Sequence, residues 1–339
     1  MRVLVTGNRG YIGSVLTPIL QHEGHEVVGL DTSYYLDRLY PDTGDVPTIQ
    51  KDMRDVVADD LRGFDAVIAM AELSNDPLGE LVGPVTHDVN FKGSVNVAEA
   101  AKAAGVKKFV YMSSCSVYGV ADEVAHEKSP VNPQTAYAEC KLLVEDRLWS
   151  LGDENFTVTA LRNATVYGPS PSQRFDIVLN NLAGTAWIED RIVMTSDGEP
   201  WRPMAHVKDI CRGIVAVLNA PHESVGNEIF NVGGHNVKVR DIAETVAEVF
   251  DVSEFSLGSN DGDNRSYQVD FSKISGKLGF EPENTLEDGA RDMLSVFTMF
   301  GLSSSQFHGQ SHVRLKRIEN LLRLGLIESD LRWTPNAQA

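Results

Sequence analysis

The sequence predicts an α/β fold in which a doubly wound parallel sheet is joined to a smaller α/β domain. Short apolar runs alternate with helical patterns through the first half of the chain, and a glycine-rich turn follows the first run. Such alternation places helices on both faces of one parallel sheet. The expected strands are residues 2–6, 26–30, 65–71, 108–113 and 156–162, and the expected helices lie near 12–23, 84–104 and 136–151.

The glycine-rich turn indicates a nucleotide site. Gly7, Gly10 and Gly13 separate a Val-rich strand from a run with helical spacing. Backbone N–H groups of such a turn, together with the helix N-terminus, can bind a pyrophosphate. The spacing G-x-x-G-x-x-G differs from the common G-x-G-x-x-G fingerprint, and three glycines alone would indicate only a tight turn. The strand before the turn and the helix after it favour the nucleotide site.

The second strand ends at an acidic residue, Asp31, which lies 18 residues past Gly13. An acid at this position can accept hydrogen bonds from both ribose hydroxyls, and it repels a 2′-phosphate. The sequence therefore favours NAD over NADP as the cofactor.

A tyrosine and a lysine four residues apart, Tyr137 and Lys141, share one face of a predicted helix. A phenol has a pKa of about 10, and a neighbouring cation lowers the pKa toward neutrality. The spacing therefore predicts a base that can take a proton from an alcohol. An isolated match of this kind is more typical of a solvated helix face, so the prediction depends on the nucleotide motifs upstream.

The composition changes after Gly168-Pro169, where Pro, Ser, Asn and Gly become frequent, and we place the main domain boundary there. An apolar helix at 206–219 and a strand at Glu228–Val232 are expected to return to the first domain, so the domains are interleaved. We assign residues 1–168 and 206–235 to a nucleotide-binding domain, 169–205 and 236–302 to a substrate domain, and 303–339 to a helical C-terminal extension.

The C-terminal extension contains a predicted amphipathic helix over Leu315–Leu326, preceded by a Ser-rich link. Its basic residues Arg314, Lys316 and Arg317 favour a helix that is solvated or contacts another subunit. The apolar residues that share one face are Leu315, Ile318, Leu321, Leu322 and Leu326.

The composition of the chain limits the classes of partner that it is expected to bind. The chain has 339 residues, 42% of them hydrophobic, and a net charge of −18, which argues against general nucleic-acid binding. An anionic substrate therefore requires a local cluster of arginines. No apolar run is long enough to span a membrane, and the first strand begins at residue 2, so we expect neither a membrane partner nor a signal peptide. The three cysteines form no metal or redox spacing, which favours a cytoplasmic protein without a metal.

Taken together, these motifs resemble the extended short-chain dehydrogenase/reductase family, specifically its NAD-dependent nucleotide-sugar epimerases and dehydratases. The resemblance runs from residue 1 to about residue 300 and implies a Rossmann domain that binds NAD. The matching segments are residues 6–13, 51–55, Asn90 within 89–96, 113–119, Tyr137 with Lys141, 161–162, 166–169, 202–209 and 277–280.

The resemblance assigns roles to individual residues. It implies Ser114, Tyr137 and Lys141 as the catalytic residues, and a homodimer formed through the helices near 84–104 and 136–151. The implied cofactor residues are Gly7, Gly10, Tyr11, Ile12, Gly13, Asp31, Asp52, Met53, Met70, Ala71 and Asn90, with Tyr137 and Lys141. The implied substrate residues are Ser74, Ser114, Cys115, Ser116, Thr165, Arg174, Arg202 and Arg265, of which Arg202 corresponds to the family's phosphate-binding arginine.

Departures from the family pattern bear on the chemistry. The 4,6-dehydratases follow the catalytic Ser or Thr with an Asp-Glu pair, whereas this chain has Cys115 and Ser116. The family's 3,5-epimerases use a cysteine at the position of Ser116. Cys115 lies one residue earlier on a strand, so its side chain is expected to point to the other face and to pack in the core. Thr165 and Ala69 replace an Asn and a His that are usual in the family, so the usual UDP-hexose specificity does not follow.

These observations favour an isomerase: an NAD-dependent epimerase that oxidises a nucleotide-activated sugar transiently, most simply at C4, and returns the hydride to the other face. A net oxidoreductase on a nucleotide sugar uses the same three residues and is the alternative, with a dehydratase less favoured. A non-catalytic protein that retains the cofactor fold is a third hypothesis, against which Ser114, Tyr137 and Lys141 argue.

Overall fold

A computed structural model describes residues 1–44, 46–74, 83–121, 123–256, 258 and 266–335 of the chain. The strands are β1 Arg2–Thr6, β2 Glu26–Asp31, β3 Thr48–Gln50, β4 Ala66–Ala69, β5 Lys108–Ser114, β6 Thr157–Asn163, β7 Thr165–Tyr167, β8 Ile192–Val193, β9 Trp201–His206, β10 Glu228–Val232, β11 His235–Lys238 and β12 Phe255–Ser256. The helices are α1 Gly13–His22, α2 Gly83–Thr86, α3 Ser94–Ala104, α4 Ala136–Trp149, α5 Val178–Glu189, α6 Val207–Asn219, α7 His222–Val225, α8 Val239–Phe250, α9 Ser272–Leu278, α10 Leu286–Phe300, α11 Ser304–His308 and α12 Arg314–Arg323.

Seven strands form one parallel sheet in the order β10-β6-β5-β4-β1-β2-β3. Every residue of β4 and β6 is buried, because helices cover both faces of the sheet. The strand order reverses between β1 and β4, and an open parallel sheet of this type binds ligands beyond the carboxyl ends of its strands at that point. The predicted doubly wound α/β fold is confirmed.

Each face of the sheet carries its own apolar core. One core contains Leu16 of α1 and Ile214 of α6, and the other contains Val97 of α3 and Val144 of α4. The predicted helix near 84–104 is divided, because a π-helical segment, His87–Gly93, joins α2 to α3. The sequence did not predict β3, a three-residue strand at the edge of the sheet.

A second layer of structure lies after β6. A three-stranded sheet has the order β11-β9-β7, β8 pairs with β12, and helices α5, α8 and α10 share an apolar core that includes Leu179, Ile242 and Met293. The strand β10 nevertheless pairs with β6 in the main sheet. The division of the chain into domains stays a prediction.

The C-terminal segment, residues 303–335, packs onto the main sheet's ligand edge. Ile318, Leu321 and Leu331 are buried against Tyr34 and Leu73 in one apolar cluster. The apolar face of α12 is therefore covered by residues of the same chain, and the expectation of a solvated helix is wrong. The reason is that the loops after β2 and β4 expose an apolar surface that matches the stripe on α12.

Two features of the described residues bear on possible partners. No helix there has the length and hydropathy required to cross a membrane. The same residues contain no cluster of three or more His, Cys, Asp or Glu side chains arranged to hold a metal ion.

Candidate active site

A cavity of about 1040 Å3 opens at the carboxyl ends of the parallel strands. All residues predicted for the site line this cavity except Asn90, Cys115 and Arg265. Residues that are far apart in the chain meet here because β1, β2, β4, β5 and β6 are parallel and end at the same edge.

The three exceptions lie elsewhere. Asn90 is buried in the π-helical segment, where its side chain accepts a hydrogen bond from Leu73 N (2.8 Å) and donates one to Leu73 O (3.0 Å), so it supports the loop after β4. Cys115 is buried and its Sγ donates to Arg162 O at 3.1 Å; burial raises the pKa of the thiol. Arg265 lies outside the described residues.

The glycine-rich turn has the close packing that a pyrophosphate site requires. Gly7 has a φ of +75°, which favours glycine, and a Cβ there would lie 3.0 Å from Ala71 Cα. A Cβ on Gly13 would lie 2.6 Å from Asn8 Cα. Helix α1 begins at Gly13 with no side-chain cap, and the residues that lead into it, Gly10 to Gly13, line the cavity, so the start of this helix suits an anion.

Asp31 occupies the end of β2 and lines the cavity. Its carboxylate accepts hydrogen bonds from Ser33 N at 2.6 Å and Arg9 N at 3.2 Å. Burial raises the pKa of Asp31, while these two bonds and the charge of Arg9 lower it. The backbone thus fixes the carboxylate at the position where the sequence predicts contact with a ribose.

The three predicted catalytic residues line the same cavity. Ser114 ends β5, and its Oγ accepts a hydrogen bond from Ser116 N (3.1 Å). Helix α4 begins after Thr135, whose Oγ1 accepts a bond from Ala138 N, so Tyr137 lies in the first turn. Lys141 follows one turn later, with its Nζ 5.2 Å from the centroid of the Tyr137 ring.

A buried carboxylate that the sequence did not predict holds the lysine. Glu72 Oε2 lies 2.5 Å from Lys141 Nζ, and Glu72 Oε1 accepts hydrogen bonds from Tyr111 Oη (2.8 Å) and Ser94 Oγ (3.1 Å). Burial lowers the pKa of Lys141, but Glu72 and Tyr137 raise it, and the net pKa lies above the usual value. Lys141 also donates to Met112 O at 2.5 Å. An ammonium has three N–H donors, so one is left for a ligand.

The lysine is therefore oriented by two protein groups, and its charge is balanced by Glu72. A signal for this role exists in the sequence: an acid follows the buried strand β4 within three residues. The pattern gives no partner for that acid, since the partner lies on a distant helix.

A second buried ion pair lies behind the site. Arg162 donates two hydrogen bonds to Glu145, at 3.0 and 2.6 Å, and Ser113 Oγ donates to the same carboxylate at 2.5 Å. Burial lowers the pKa of Arg162, but Glu145 and Tyr118 together raise it, and the net pKa lies above the usual value, so the guanidinium stays charged. The pair joins β5, β6 and α4, and so fixes the helix that carries Tyr137.

Three arginines besides Arg9 line the cavity. Arg174 is paired with Asp176 (2.9 and 3.0 Å) and donates to Ser74 Oγ at 3.1 Å. Arg202 lines the cavity, and its Nη1 donates to the carbonyl of its neighbour Trp201. The third, Arg314, comes from the C-terminal segment and was not predicted to reach the site.

Fold and site together define a dinucleotide-binding protein of the α/β class with a Ser-Tyr-Lys set at its cofactor cavity. The chain belongs to the NAD dependent epimerase/dehydratase family, whose family model matches residues 3–233. NAD, the cofactor that the sequence predicted, is the cofactor of this family.

Individual relatives agree with this assignment. The chain is 30% identical to a UDP-glucose 4-epimerase of Bacillus subtilis (strain 168), over 86% of this chain and 95% of the relative. Among solved structures, it is similar to MoeE5 in complex with UDP-glucuronic acid and NAD, with 30% identity and a TM-score of 0.79 over 88% of this chain and 99% of that one. UDP-glucuronic acid 4-epimerase from Bacillus cereus, in complex with UDP-glucuronic acid and NAD, shares 26% identity and gives a TM-score of 0.77 over 88% and 99%.

Proposed function

We propose that this protein is an NAD-dependent epimerase of a nucleotide-diphosphate sugar, which it oxidises transiently at C4. The observation that carries the proposal is that Ser114, Tyr137 and Lys141 line the same cavity as the glycine turn and Asp31. A base for a sugar hydroxyl therefore lies within the cavity that fits a dinucleotide. The epimerases among the relatives, which the chain matches over most of its length, support the same class of reaction.

The residues present fit NAD. The uncapped start of α1 suits the pyrophosphate, and the carboxylate of Asp31 suits the adenosine ribose hydroxyls. Lys141, which keeps one N–H donor after bonding to Glu72 and Met112, suits the nicotinamide ribose. When bound, NAD supplies the acceptor for a hydride from the sugar carbon and the donor that returns it.

In the oxidation step, the Tyr137 oxygen takes the proton of the sugar hydroxyl while the carbon becomes a carbonyl. Lys141 stabilises the phenolate that this role requires, because a cation near a phenol favours its charged form. Ser114 Oγ donates a hydrogen bond to the reacting oxygen and holds it near the base. After the keto-sugar presents its other face, Tyr137 returns the proton and the inverted alcohol forms.

Elimination of water is disfavoured by the residues beside Ser114. Cys115 is buried, with its thiol bonded to a carbonyl, and Ser116 has no acidic proton to give a leaving hydroxyl. Two carboxylates line the cavity nearby, but Glu72 is held by Lys141 and Asp176 by Arg174. These contacts favour epimerisation over dehydration.

We also propose Arg174 and Arg202 as ligands of the substrate diphosphate, because a guanidinium donates paired hydrogen bonds to phosphate. Ser74, Ser116 and Thr165 line the same region and complete the proposed substrate surface. A homodimer through the helices near 84–104 and 136–151, a cytoplasmic location and the absence of nucleic-acid and membrane partners remain part of the proposal.

The test is turnover of a nucleotide-sugar panel by the purified protein, followed by NMR and by NADH absorbance. An epimerase interconverts two sugars with no net change in NADH, whereas stoichiometric NADH formation would establish a net oxidoreductase and refute the proposal. Tyr137→Phe should lower kcat by about 10²- to 10⁴-fold, the usual contribution of a positioned base, and leave NAD binding unchanged. Tyr40→Phe, outside the residues that line the cavity, is the matched control and should stay active. If Tyr137→Phe retains full activity, Tyr137 is not the base.

A further inference from the structure

The mechanism above gives no role to one buried arginine of the cavity. Arg314, at the start of α12, lines the cavity and is only 5% exposed. Its Nη2 donates to Ser172 Oγ at 3.2 Å, and its Cζ lies 3.9 Å from the centroid of the Tyr35 ring. In the part of the chain that the structure describes, no carboxylate lies within ion-pair distance of this guanidinium.

A buried guanidinium without an acid is unfavourable unless a ligand supplies the opposite charge. The Tyr35 ring covers one face through a cation–π contact, which compensates only part of the lost hydration. Burial lowers the pKa of Arg314 to about 10, so the group is still charged at neutral pH. Asp176 and Asp31 stabilise this charge only from a distance, so the cavity presents a fixed cation that no carboxylate of the described residues contacts directly, which suits a phosphate.

The neighbours of Arg314 indicate which phosphate it meets. Ser172, its hydrogen-bond partner, donates from its own backbone N to Ser14 Oγ at 3.4 Å. Ser14 lies in the first turn of α1, where its Oγ also donates to Gly10 O at 2.9 Å. Two hydrogen bonds thus connect the guanidinium to the helix N-terminus that fits the pyrophosphate of NAD.

The rest of the C-terminal segment is fixed over the adenosine end of the same site. Trp333 Nε1 donates to Thr32 O (2.6 Å), directly after Asp31, and Arg317 Nε donates to Tyr34 O (2.9 Å). Leu331, which lies between these contacts, also lines the cavity. These contacts fix the segment that follows Arg314 against the loop after Asp31, the residue predicted to contact the adenosine ribose of the cofactor.

We propose that Arg314 binds the pyrophosphate of NAD, so that the C-terminal segment completes the cofactor site and retains the dinucleotide. The proposal rests on NAD as the cofactor and is independent of which sugar is turned over. It explains a buried cation on a segment that sequence reasoning assigned to solvent or to another subunit.

The test is isothermal titration of nucleotide-free protein with NAD, with ADP-ribose and with UDP. Arg314→Gln should weaken NAD and ADP-ribose by about 10- to 100-fold, because a hydrogen bond to a charged group is lost, and should leave UDP unchanged. Arg314→Lys keeps the charge without the planar fork and should weaken NAD only a few-fold. Arg323→Gln, an exposed residue of the same helix, is the matched control and should bind like the wild type.

The outcomes separate the alternatives. If Arg314→Gln weakens UDP and leaves NAD unchanged, the residue serves the substrate diphosphate and the proposal is overturned. Equal affinities of wild type and variant for all three ligands would show that Arg314 only supports the fold. Melting curves without ligand report whether each variant folds. If Arg314→Gln does not fold, Arg314→Lys takes its place. Normal NAD affinity together with weakened UDP binding in Arg314→Lys would overturn the proposal in the same way. Because titration needs no turnover, failure of the epimerase assay leaves this test intact.

Discussion

The ion pair between Glu72 and Lys141 leads to a prediction, because a lysine side chain can release its proton when its counter-charge is removed. Both side chains are buried and 2.5 Å apart, and Lys141 also donates a hydrogen bond to the Met112 carbonyl. Glu72→Gln keeps the shape and removes the charge. We expect the folded variant to hold Lys141 in its neutral form, which makes the stability loss depend on pH.

The magnitude follows from two competing costs. At an effective dielectric constant of about 20, two unit charges 2.5 Å apart attract by about 6–7 kcal/mol, and the variant loses this attraction. Releasing the proton of a lysine with a pKa of about 10.4 costs about 3 kcal/mol at pH 8, at about 1.4 kcal/mol per pH unit. Proton release is the smaller cost, so we expect a loss of about 4–5 kcal/mol at pH 7 and about 1 kcal/mol near pH 9.5.

The sign follows from proton binding. In the variant, Lys141 carries a proton in the unfolded chain below about pH 10.4 but not in the folded chain. The free energy of unfolding of the variant therefore rises with pH, by up to about 1.4 kcal/mol per pH unit. In the wild type, folding raises the pKa of Lys141. The group therefore stabilises the fold fully at any pH below its unfolded pKa, and this contribution is lost only as the pH rises toward the higher folded pKa. The difference between the two proteins should therefore shrink from pH 7 to pH 9.5.

Glu145→Gln is the matched control, because it removes an equally buried carboxylate whose partner, Arg162, cannot release its proton. Its loss should be about 3–5 kcal/mol and the same at both pH values. Urea denaturation followed by circular dichroism between pH 7 and 9.5 measures both variants. A Glu72→Gln loss below 1 kcal/mol at pH 7, or the same pH dependence in both variants, would refute the reasoning.

Two further predictions concern the cofactor turn and a buried histidine. Gly13→Ala places a Cβ against the backbone of the turn, so it should lower NAD affinity in titration by at least tenfold and lower the free energy of unfolding by about 1–3 kcal/mol. The control is Gly276→Ala, in open space on α9, which should raise the free energy of unfolding by up to about 1 kcal/mol. Burial lowers the pKa of His206 to about 4, so it stays neutral in the fold and costs stability as the pH falls from 6.5 to 4, by about 3 kcal/mol in total. His206→Asn, which can still cap α6 at Lys208 N, should remove that acid-dependent loss in denaturation curves, and an unchanged slope would contradict the assignment.

The strands and the glycine turn were predictable because their signals are local. β1, β2 and β5 are short Val-rich or apolar runs of the expected lengths, and the turn after β1 contains glycines that backbone packing requires. Tyr137 and Lys141 were predictable for the same reason, since four residues on one helix decide their proximity. β3 was not, because three residues at a sheet edge carry no periodic signal.

The contacts of Glu72 and Arg314 were not predictable because their partners are remote in the chain. Glu72 meets a lysine on α4, and Arg314 meets Tyr35 and Ser172 from a helix near the C-terminus. The amphipathic stripe of that helix was visible in the sequence, but a stripe does not specify the surface that covers it. That surface consists of loop residues such as Tyr34 and Leu73, and loops have no periodic pattern that reports their exposure.

The distribution of charge within the site separates residues that position from residues that bind. In a chain of net charge −18, an anionic ligand needs local cations, and the cavity region holds several. Lys141, Arg162 and Arg174 each have a carboxylate within 2.9 Å, so their charges are balanced before any ligand arrives and they fix the geometry of helices and loops. Arg314 has no carboxylate within ion-pair distance among the described residues; the charges of Asp176 and Asp31 act on it only from farther away, so an anion that enters the cavity supplies its direct counter-charge. The cation with the weakest claim from the sequence is therefore the one whose substitution should change nucleotide affinity most directly.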